Sequence, residues 1–583
     1  MIFSRSSLLL GTLCALGLAS PLRSSNTAPT VHLPDSDVWF TGTTVNSTES
    51  FLNIRFGEDT SGNNRFAPPK PYAYPSGSVV NATQSGAACP QQKQPLPDFP
   101  LFDNVTKISE DCLTLRVDRP AHTSASDKLP VLVFIFGGGD TIGQIYDSAY
   151  DPKLLVAGAA QKDVPVIYVA MNYRVGVFGF ASSPALNESD SLNAGLLDQR
   201  LALWWIQDHI AAFGGDPDQV TIFGESDGAT GVGLQMTAYG GQVAKVPFRR
   251  AIMESGAASG DSGTAFDESG QHTAVLIDRI NCTASTSQEE LECLRRLPML
   301  TLLNTAYAYE LTLNSMGGMD VFKPVSPSSF IPDRPTQLLK SGRFARDIDL
   351  ISGWCENDGA FFTSTDLKTS ADVAENLRES YPRLSNASIA KALQLYPLSD
   401  FSNDTTVDPP VSAQYFRASQ MERDHGFTCP SLLAVETNAQ YASHGHVRNY
   451  LYSLNQTAFA EVFALEGLTY YGVPHFSDIP YIFNTVTDGL LAPVSTASDR
   501  QLASAIGASW ASFATFGDPS HANGTVSGWS QAWSSSNSTS AAPKLRVLGG
   551  PDSRFTGGRG YHEKLVQRCA FWNSDEVTAA FGV

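Results

Sequence analysis

The chain has little positive charge: 39 Lys and Arg stand against 58 Asp and Glu in 583 residues, a formal net charge of -19. Nucleic acid and anionic membrane surfaces are held by basic patches, so neither is an expected partner. CxxC and HExxH are both missing, and no metal or cofactor is expected. There is no internal repeat and no polar linker, which points to one large domain over residues 20–583 rather than an array. Nor is there an apolar stretch of the ~20 residues that a membrane-spanning helix takes. The nearest approach, Leu8 to Leu18, follows Arg5 and precedes Ala19 and Ser20. It is too short to span and reads as a secretory signal peptide over residues 1–19. The mature protein is therefore expected outside the cell, with no stable membrane insertion.

Two features that are present agree with secretion. Asn-x-Ser/Thr sequons stand at Asn46, Asn81, Asn104, Asn187, Asn281, Asn386, Asn403, Asn455, Asn523 and Asn537, so N-linked glycans are expected. Of the eight cysteines, Cys14 leaves with the signal. Cys89, Cys112, Cys282, Cys293, Cys355, Cys429 and Cys569 would then meet an oxidising compartment, where an odd number leaves at least one thiol without an internal partner.

Along the chain, Val131 to Phe136 is a continuous apolar run, as in a strand buried on both faces of a parallel sheet. It ends in Gly137-Gly138-Gly139. A second such run, Val164 to Met171, leads into Asn172-Tyr173-Arg174. Leu197, Leu201, Trp204, Trp205 and Ile210 recur near helical spacing between about Ala194 and Ala212, until Gly214-Gly215 stops the helix. A third strand, Gln219 to Phe223, runs straight into Gly224-Glu225-Ser226-Asp227-Gly228 and then a helix of small residues. Arg250 to Glu254, Ile348 to Gly353 and Val447 to Ser453 are further strand candidates, while 260–345 and 360–440 read as helical insertions. Strands alternating with helices at this spacing predict an α/β fold: a large, mostly parallel sheet with helices on both faces.

The only GxSxG in the chain lies between a buried strand and a helix, the setting of a nucleophile elbow. Serine alone is a weak nucleophile, so it needs a base, an acid to orient that base, and preorganised N–H donors for the oxyanion. The triple glycine after Val131–Phe136 suits the donor role, with the N–H that follows the serine. The expected order is serine, acid, histidine. Downstream histidines are His272, His425, His444, His446, His475, His521 and His562; His475, in the loop Val473 to Ile479, is best placed, yet the residues alone do not settle the choice. Glu356 and Asp358 both follow the strand Ile348–Gly353 and both remain open as the acid.

Further strings then bear on the question: Arg65 to Pro69, Ser109 to Leu113, Asn172-Tyr173-Arg174 with Phe178-Gly179-Phe180, Asp198 to Leu203, Phe213 to Pro217, Thr221 to Ser226, Trp510 to Pro519 and Cys569 to Trp572. Together and in this order they resemble the type-B carboxylesterase/lipase family, which includes cholinesterases and secreted fungal lipases. The resemblance covers nearly the whole mature chain and implies an α/β-hydrolase fold with a Ser226–His475–Asp358 triad. Asp358 occupies the acid position of Gly353-Trp354-Cys355-Glu356-Asn357-Asp358-Gly359, where the family usually has Glu. The oxyanion donors would be the N–H groups of Gly138, Gly139 and Asp227. Ser255 matches a serine that in the family bonds the acid, and Glu225 is expected to support the triad beside it. The resemblance also implies the pairs Cys89–Cys112, Cys282–Cys293 and Cys429–Cys569, leaving Cys355 as a buried inert thiol.

Three further positions depart from the family pattern. Phe136 stands where many relatives have His. Asp140 follows the triple glycine where an aromatic is usual, and Asp227 follows the nucleophile where Ala is usual. An acid at Asp227 suits the first turn of a helix, but an ionised side chain pointing inward would oppose the oxyanion. The expectation is that Asp140 and Asp227 meet and share a proton, leaving the hole intact. The function implied is hydrolysis of small-molecule or lipid carboxylic esters through an acyl-enzyme. The short Cys89–Cys112 interval, with Leu96, Phe99, Leu101 and Phe102, favours an esterase on modest acyl groups over an interfacial lipase. A catalytically silent binding protein of the same fold is the alternative of another class.

Overall fold

The computed structural model describes residues 28–583 apart from 94–101, 244, 314–318, 443–446, 534–541, 551–554 and 557–558, with side chains described outside 551–563. The signal segment with Cys14, the apolar residues Leu96, Phe99 and Leu101, the sequon at Asn537, and His444 and His446 lie outside the described residues, as does the side chain of His562.

Fourteen strands form in the described residues: β1 (Thr30–Leu33), β2 (Val38–Thr41), β3 (Thr43–Val45), β4 (Thr48–Arg55), β5 (Val79–Asn81), β6 (Thr114–Pro120), β7 (Leu129–Ile135), β8 (Ile167–Met171), β9 (Gly215–Glu225), β10 (Arg250–Glu254), β11 (Asp349–Cys355), β12 (Asn449–Leu454), β13 (Leu545–Leu548) and β14 (Phe555–Thr556). Strands β1, β2 and β5 make a small separate sheet; the other eleven form one sheet in the order β14-β13-β12-β11-β10-β9-β7-β8-β6-β4-β3. From β13 to β8 every neighbouring pair is parallel, and antiparallel pairs occur only toward the two edges.

The apolar runs read from the sequence are the parallel centre of this sheet. Residues of β8, β10, β11 and β12 are buried throughout, as strands covered on both faces must be. Helices supply the cover. Ala497–Phe516 packs on β7, β9 and the helix Lys153–Gln161, while Asp227–Thr237 packs on β7, β9 and β10 with Ala194–His209 behind it. Phe134, Phe223 and Phe483 interlock at ring-centre distances of 5.0–6.1 Å in the core below β7 and β9.

Arg174 and Asp198 are both buried, and the guanidinium grips the carboxylate through Nε (2.8 Å) and Nη2 (2.7 Å). The same Asp198 oxygen accepts the Arg174 backbone N–H, which fixes the loop after β8 to the helix Ala194–His209. Three disulfides join Cys89 to Cys112, Cys282 to Cys293 and Cys429 to Cys569, the pairs that the resemblance implies, and Cys355 is a buried free thiol. No helix among the described residues is long and apolar enough to cross a membrane.

In parallel sheets the loops at the carboxyl ends of strands converge on one rim, where ligand sites form. Gly137–Gly139 leaves β7 at that rim, Ser226 leaves β9, Ser255 leaves β10 and Asp358 follows β11.

Candidate active site

Ser226 sits between β9 and the helix Asp227–Thr237 with φ 61° and ψ -130°, a backbone state that costs a non-glycine residue on the order of 1–3 kcal/mol. Its neighbours hold it there. The Ser226 N–H donates to Glu254 O (2.9 Å), and Ser226 O accepts from Ala229 N–H and Thr230 N–H, which start the helix. The turn is tight enough that a Cβ on Gly228 would lie 2.1 Å from Ile135 O, so the residue there must be glycine. The oxyanion loop packs against the same turn: a Cβ on Gly137 would lie 2.4 Å from Glu225 O, and Gly138 and Gly139 carry φ of 122° and 60°.

The strained turn points the Ser226 side chain at His475, with Oγ 2.8 Å from Nε2. His475 Nδ1 lies 2.9 Å from Asp358 Oδ1, and the other Asp358 oxygen accepts the Cys355 N–H at 2.8 Å. Asp358 is fully buried. The loops that carry acid and base are tied together by a parallel bridge between Asn357 and Pro474, where Asn357 N–H donates to Val473 O and Asn357 Oδ1 accepts Val473 N–H, both at 2.9 Å. His475 therefore owes its place to pairing with the acid loop, not to a preceding strand. Phe427 and Phe362 flank its ring at 4.7 and 5.2 Å.

The alternatives left open by the residues go elsewhere. Glu356 turns to Arg423 (3.2 Å) and Ser453 (3.0 Å). His272 meets the Tyr309 hydroxyl and His425 meets Glu422. Burial disfavours charge on His475, but Glu225, the hydrogen bond to Asp358, and the Asp358 and Asp478 charges outweigh it and raise its pKa. Glu225 Oε1 lies 3.2 Å from His475 Nε2, beside Ser226, and burial holds that carboxyl toward its neutral form. Ser255 departs from its expected contact. Its Oγ donates to Cys355 Sγ at 3.9 Å, at the position where the family usually has Asn, while the Asp358 oxygens are bonded to Cys355 N–H and His475.

On the Gly139 side of Ser226 the expected approach of Asp140 and Asp227 is present, with carboxylate oxygens within 4.8 Å, but Asp227 also engages the glycine loop. Gly139 N–H donates to Asp227 Oδ2, and the same oxygen lies 3.3 Å from Ser226 Oγ. An Asp227 carboxylate oxygen thus touches both the Gly139 N–H and Ser226 Oγ, so the Gly139 N–H is not the free donor expected of it. Asp140 is buried, 5% exposed. Carboxylate oxygens of Asp140, Asp227 and Asp261 lie within 4.8 Å of one another, the only such group among the described residues close enough to share a cation. Asp261 accepts from Thr230 Oγ1 (3.2 Å), while its Oδ2 is buried without a partner. Burial, then the Asp227 charge, pushes the Asp140 and Asp261 carboxyls well above the usual range. Burial, then Asp227, also lifts Asp320 to about 7, with Lys323 opposing. Asp261, Asp320 and Lys323 belong to no motif, and no signal in the sequence could have marked them.

Above Ser226 opens a cavity of about 630 Å³. Its walls include Phe361, Phe362, Tyr381, Phe427, Leu468 and Tyr471, together with Asp227, Asp261 and Asp320.

The carboxylesterase family profile matches residues 36–547. VdtD of Byssochlamys spectabilis, named an inactive carboxylesterase-like protein, is 37% identical over 557 residues, 94% of each chain. A secreted lipase of Arthroderma benhamiae is 36% identical over 560 residues, 93% of each chain. The crystal structure of Aspergillus niger EstA superposes with a TM-score of 0.76 at 27% identity, over 96% of this chain and all of that one. Sequence and architecture agree: this chain belongs to the carboxylesterase family and has its α/β-hydrolase fold, that of a carboxylic ester hydrolase.

Proposed function

We propose that the protein is a secreted serine carboxylesterase that works through an acyl-enzyme on Ser226. The observation that carries this reading is the line Ser226 Oγ–His475 Nε2–Asp358, at 2.8 and 2.9 Å, beneath the aromatic cavity. In the reaction Ser226 Oγ attacks the ester carbonyl carbon while His475 Nε2 takes its proton. The negative oxygen of the tetrahedral intermediate accepts from the N–H groups of Gly138, Gly139 and Asp227. Collapse breaks the acyl C–O bond, and His475 returns the proton to the leaving alcohol. Water, deprotonated by His475, attacks the acyl-enzyme and releases the acid.

The cavity volume suits a modest acyl chain, and its aromatic wall suits apolar acyl groups. Secretion is supported by the N-terminal apolar segment, by three disulfides and by relatives named secreted lipases. Asn46, Asn81, Asn104, Asn187, Asn281, Asn386, Asn403 and Asn523 are exposed, as glycan acceptors must be.

One observation favours a second reading, a catalytically silent member of the family: the Gly139 N–H is already taken by Asp227. Hydrolysis of p-nitrophenyl esters from acetate to palmitate by the secreted protein and by Ser226→Ala separates the two. The expected result is turnover with a short-to-medium chain optimum that falls by on the order of 10⁴-fold or more in the variant. A long-chain optimum would favour a lipase, and no difference between the proteins would favour the silent reading.

A further inference from the structure

We propose that Asp227 is an internal competitor of the substrate: its carboxylate rests where the ester carbonyl oxygen must sit, and productive binding requires that side chain to turn toward Asp140 and Asp261. The inference rests on the serine esterase reading and adds a gate to it.

The geometry is that of an occupied hole. An oxyanion donor acts on whatever oxygen lies 2.7–3.1 Å from it near the serine. Here Gly139 N–H donates to Asp227 Oδ2, an oxygen 3.3 Å from the nucleophile. A carboxylate oxygen between the nucleophile and the N–H donors copies the carboxylic product. It is tethered one residue from Ser226, so its effective concentration is high and an ester must displace it. The Gly139 N–H is the group it holds, and loss of one such donor commonly costs ~10²–10³ in kcat.

The destination of the side chain is set by charge. Around Asp227 are Asp140 from the glycine loop, Asp261 from the loop after β10, Asp320 from the 319–325 segment, Glu225 from the end of β9, and the Tyr173 ring stacked on Phe136, while His475 shares Ser226 Oγ with it. Lys323 is the one cation that influences Asp140, Asp261 and Asp320 together, and its Nζ is 3.0 Å from Glu268. While Asp140 and Asp261 are ionised they repel the Asp227 carboxylate and hold it in the hole. A proton on either turns it into an O–H donor that can accept Asp227 as a partner. Both carboxyls are raised, by burial and then by Asp227, so that proton binds well above the ordinary carboxylate range. The gate therefore opens as pH falls.

The test is kcat/KM for p-nitrophenyl butyrate at pH 5 and pH 7.5 in wild type, Asp227→Ala and Asp227→Ala/Ser226→Ala. The expected ratio of Asp227→Ala to wild type is on the order of 10² at pH 7.5, shrinking at least tenfold at pH 5. His475 titrates in both proteins, and the ratio removes most of its effect. A ratio of one or below at pH 7.5, or a ratio independent of pH, overturns the gate while the esterase reading stands. If Asp227→Ala folds poorly, Asp140→Asn replaces it, and an increase at pH 7.5 is again required. Should no protein show Ser226-dependent turnover, the esterase reading fails. The gate is then judged on phenylboronic acid, which bonds the serine and places an oxygen in the hole. Binding at least tenfold tighter in Asp227→Ala supports it, and equal binding overturns it. Activation of wild type at pH 7.5 by millimolar Ca²⁺ would overturn the proton as the opening agent.

Discussion

Two carboxylates within one site, Asp358 and Asp140, are both buried and are treated in opposite ways. Asp358 has a backbone N–H on one oxygen and an imidazole on the other. The Asp140 carboxylate instead faces two more carboxylates, Asp227 and Asp261. Burying a charge is tolerable when it is paired and bonded, and the group otherwise gives up its charge. The side that carries Ser226, His475 and Asp358 is therefore fixed, its parts positioned by reciprocal bonds. The oxyanion side is a set of like charges whose arrangement depends on how many protons it holds. A single cavity thus combines a rigid half with a half that responds to its medium.

The largest effect belongs to the rigid half. Asp358→Asn keeps the volume but offers His475 an amide N–H in place of an acceptor, which selects the wrong imidazole tautomer. Activity is expected to fall by about 10⁴-fold with little change in melting temperature, by analogy with the same exchange in the serine protease triad. A loss below tenfold would show that His475 does not need an acceptor at Nδ1, since Glu225, 3.2 Å from Nε2, is on the wrong nitrogen to replace Asp358.

A smaller effect, read in stability, tests the responsive half. The folded pKa of Asp140 is raised, so between the unfolded value near 3.8 and the folded value the native state holds a proton that the unfolded chain has lost. The stability this contributes is complete below the unfolded value and is lost as pH rises through the folded one. Asp140→Asn has no such proton to lose. Its melting temperature relative to wild type is expected to be higher at pH 8 than at pH 4, by differential scanning fluorimetry. A difference that does not change with pH would mean that Asp140 is paired in solution.

The same contrast governs what the sequence revealed. The sheet was legible because burial on both faces writes unbroken apolar runs such as Val131–Phe136, and the elbow because close approach at Gly224 and Gly228 excludes every other residue. Strand ends were off by a few residues: the run Val164–Met171 enters the sheet only at Ile167, since Val164 and Val166 are buried before pairing begins. His475 was singled out by its loop but chosen only through the resemblance, because its place is set by the Asn357–Pro474 bridge between segments over a hundred residues apart. Asp140 and Asp227 stood out as departures from a pattern. Their consequence did not, because a side chain's choice between a hole and a recess depends on Asp261 and Asp320, which nothing in the sequence places nearby.

Ser255 marks the boundary between the halves and carries the smallest expected effect. The resemblance implies that its hydroxyl bonds the acid, yet the hydroxyl donates to Cys355 Sγ at 3.9 Å, a weak bond to a weak acceptor. The second Asp358 oxygen is already served by the Cys355 N–H, so the acid does not depend on the serine. Ser255→Ala is thus expected to change kcat/KM by less than about fivefold, since the bond it removes is worth at most ~1 kcal/mol. Cys355→Asn restores the residue usual in the family and replaces the sulfur with an amide that can bond strongly to Ser255. In that background Ser255→Ala should cost more than it does alone, and the double-mutant cycle measures the difference. If Ser255→Ala alone lowers kcat tenfold or more without moving KM, the hydroxyl reaches Asp358 during turnover. The rigid half would then rest on one more bond than the resting structure contains.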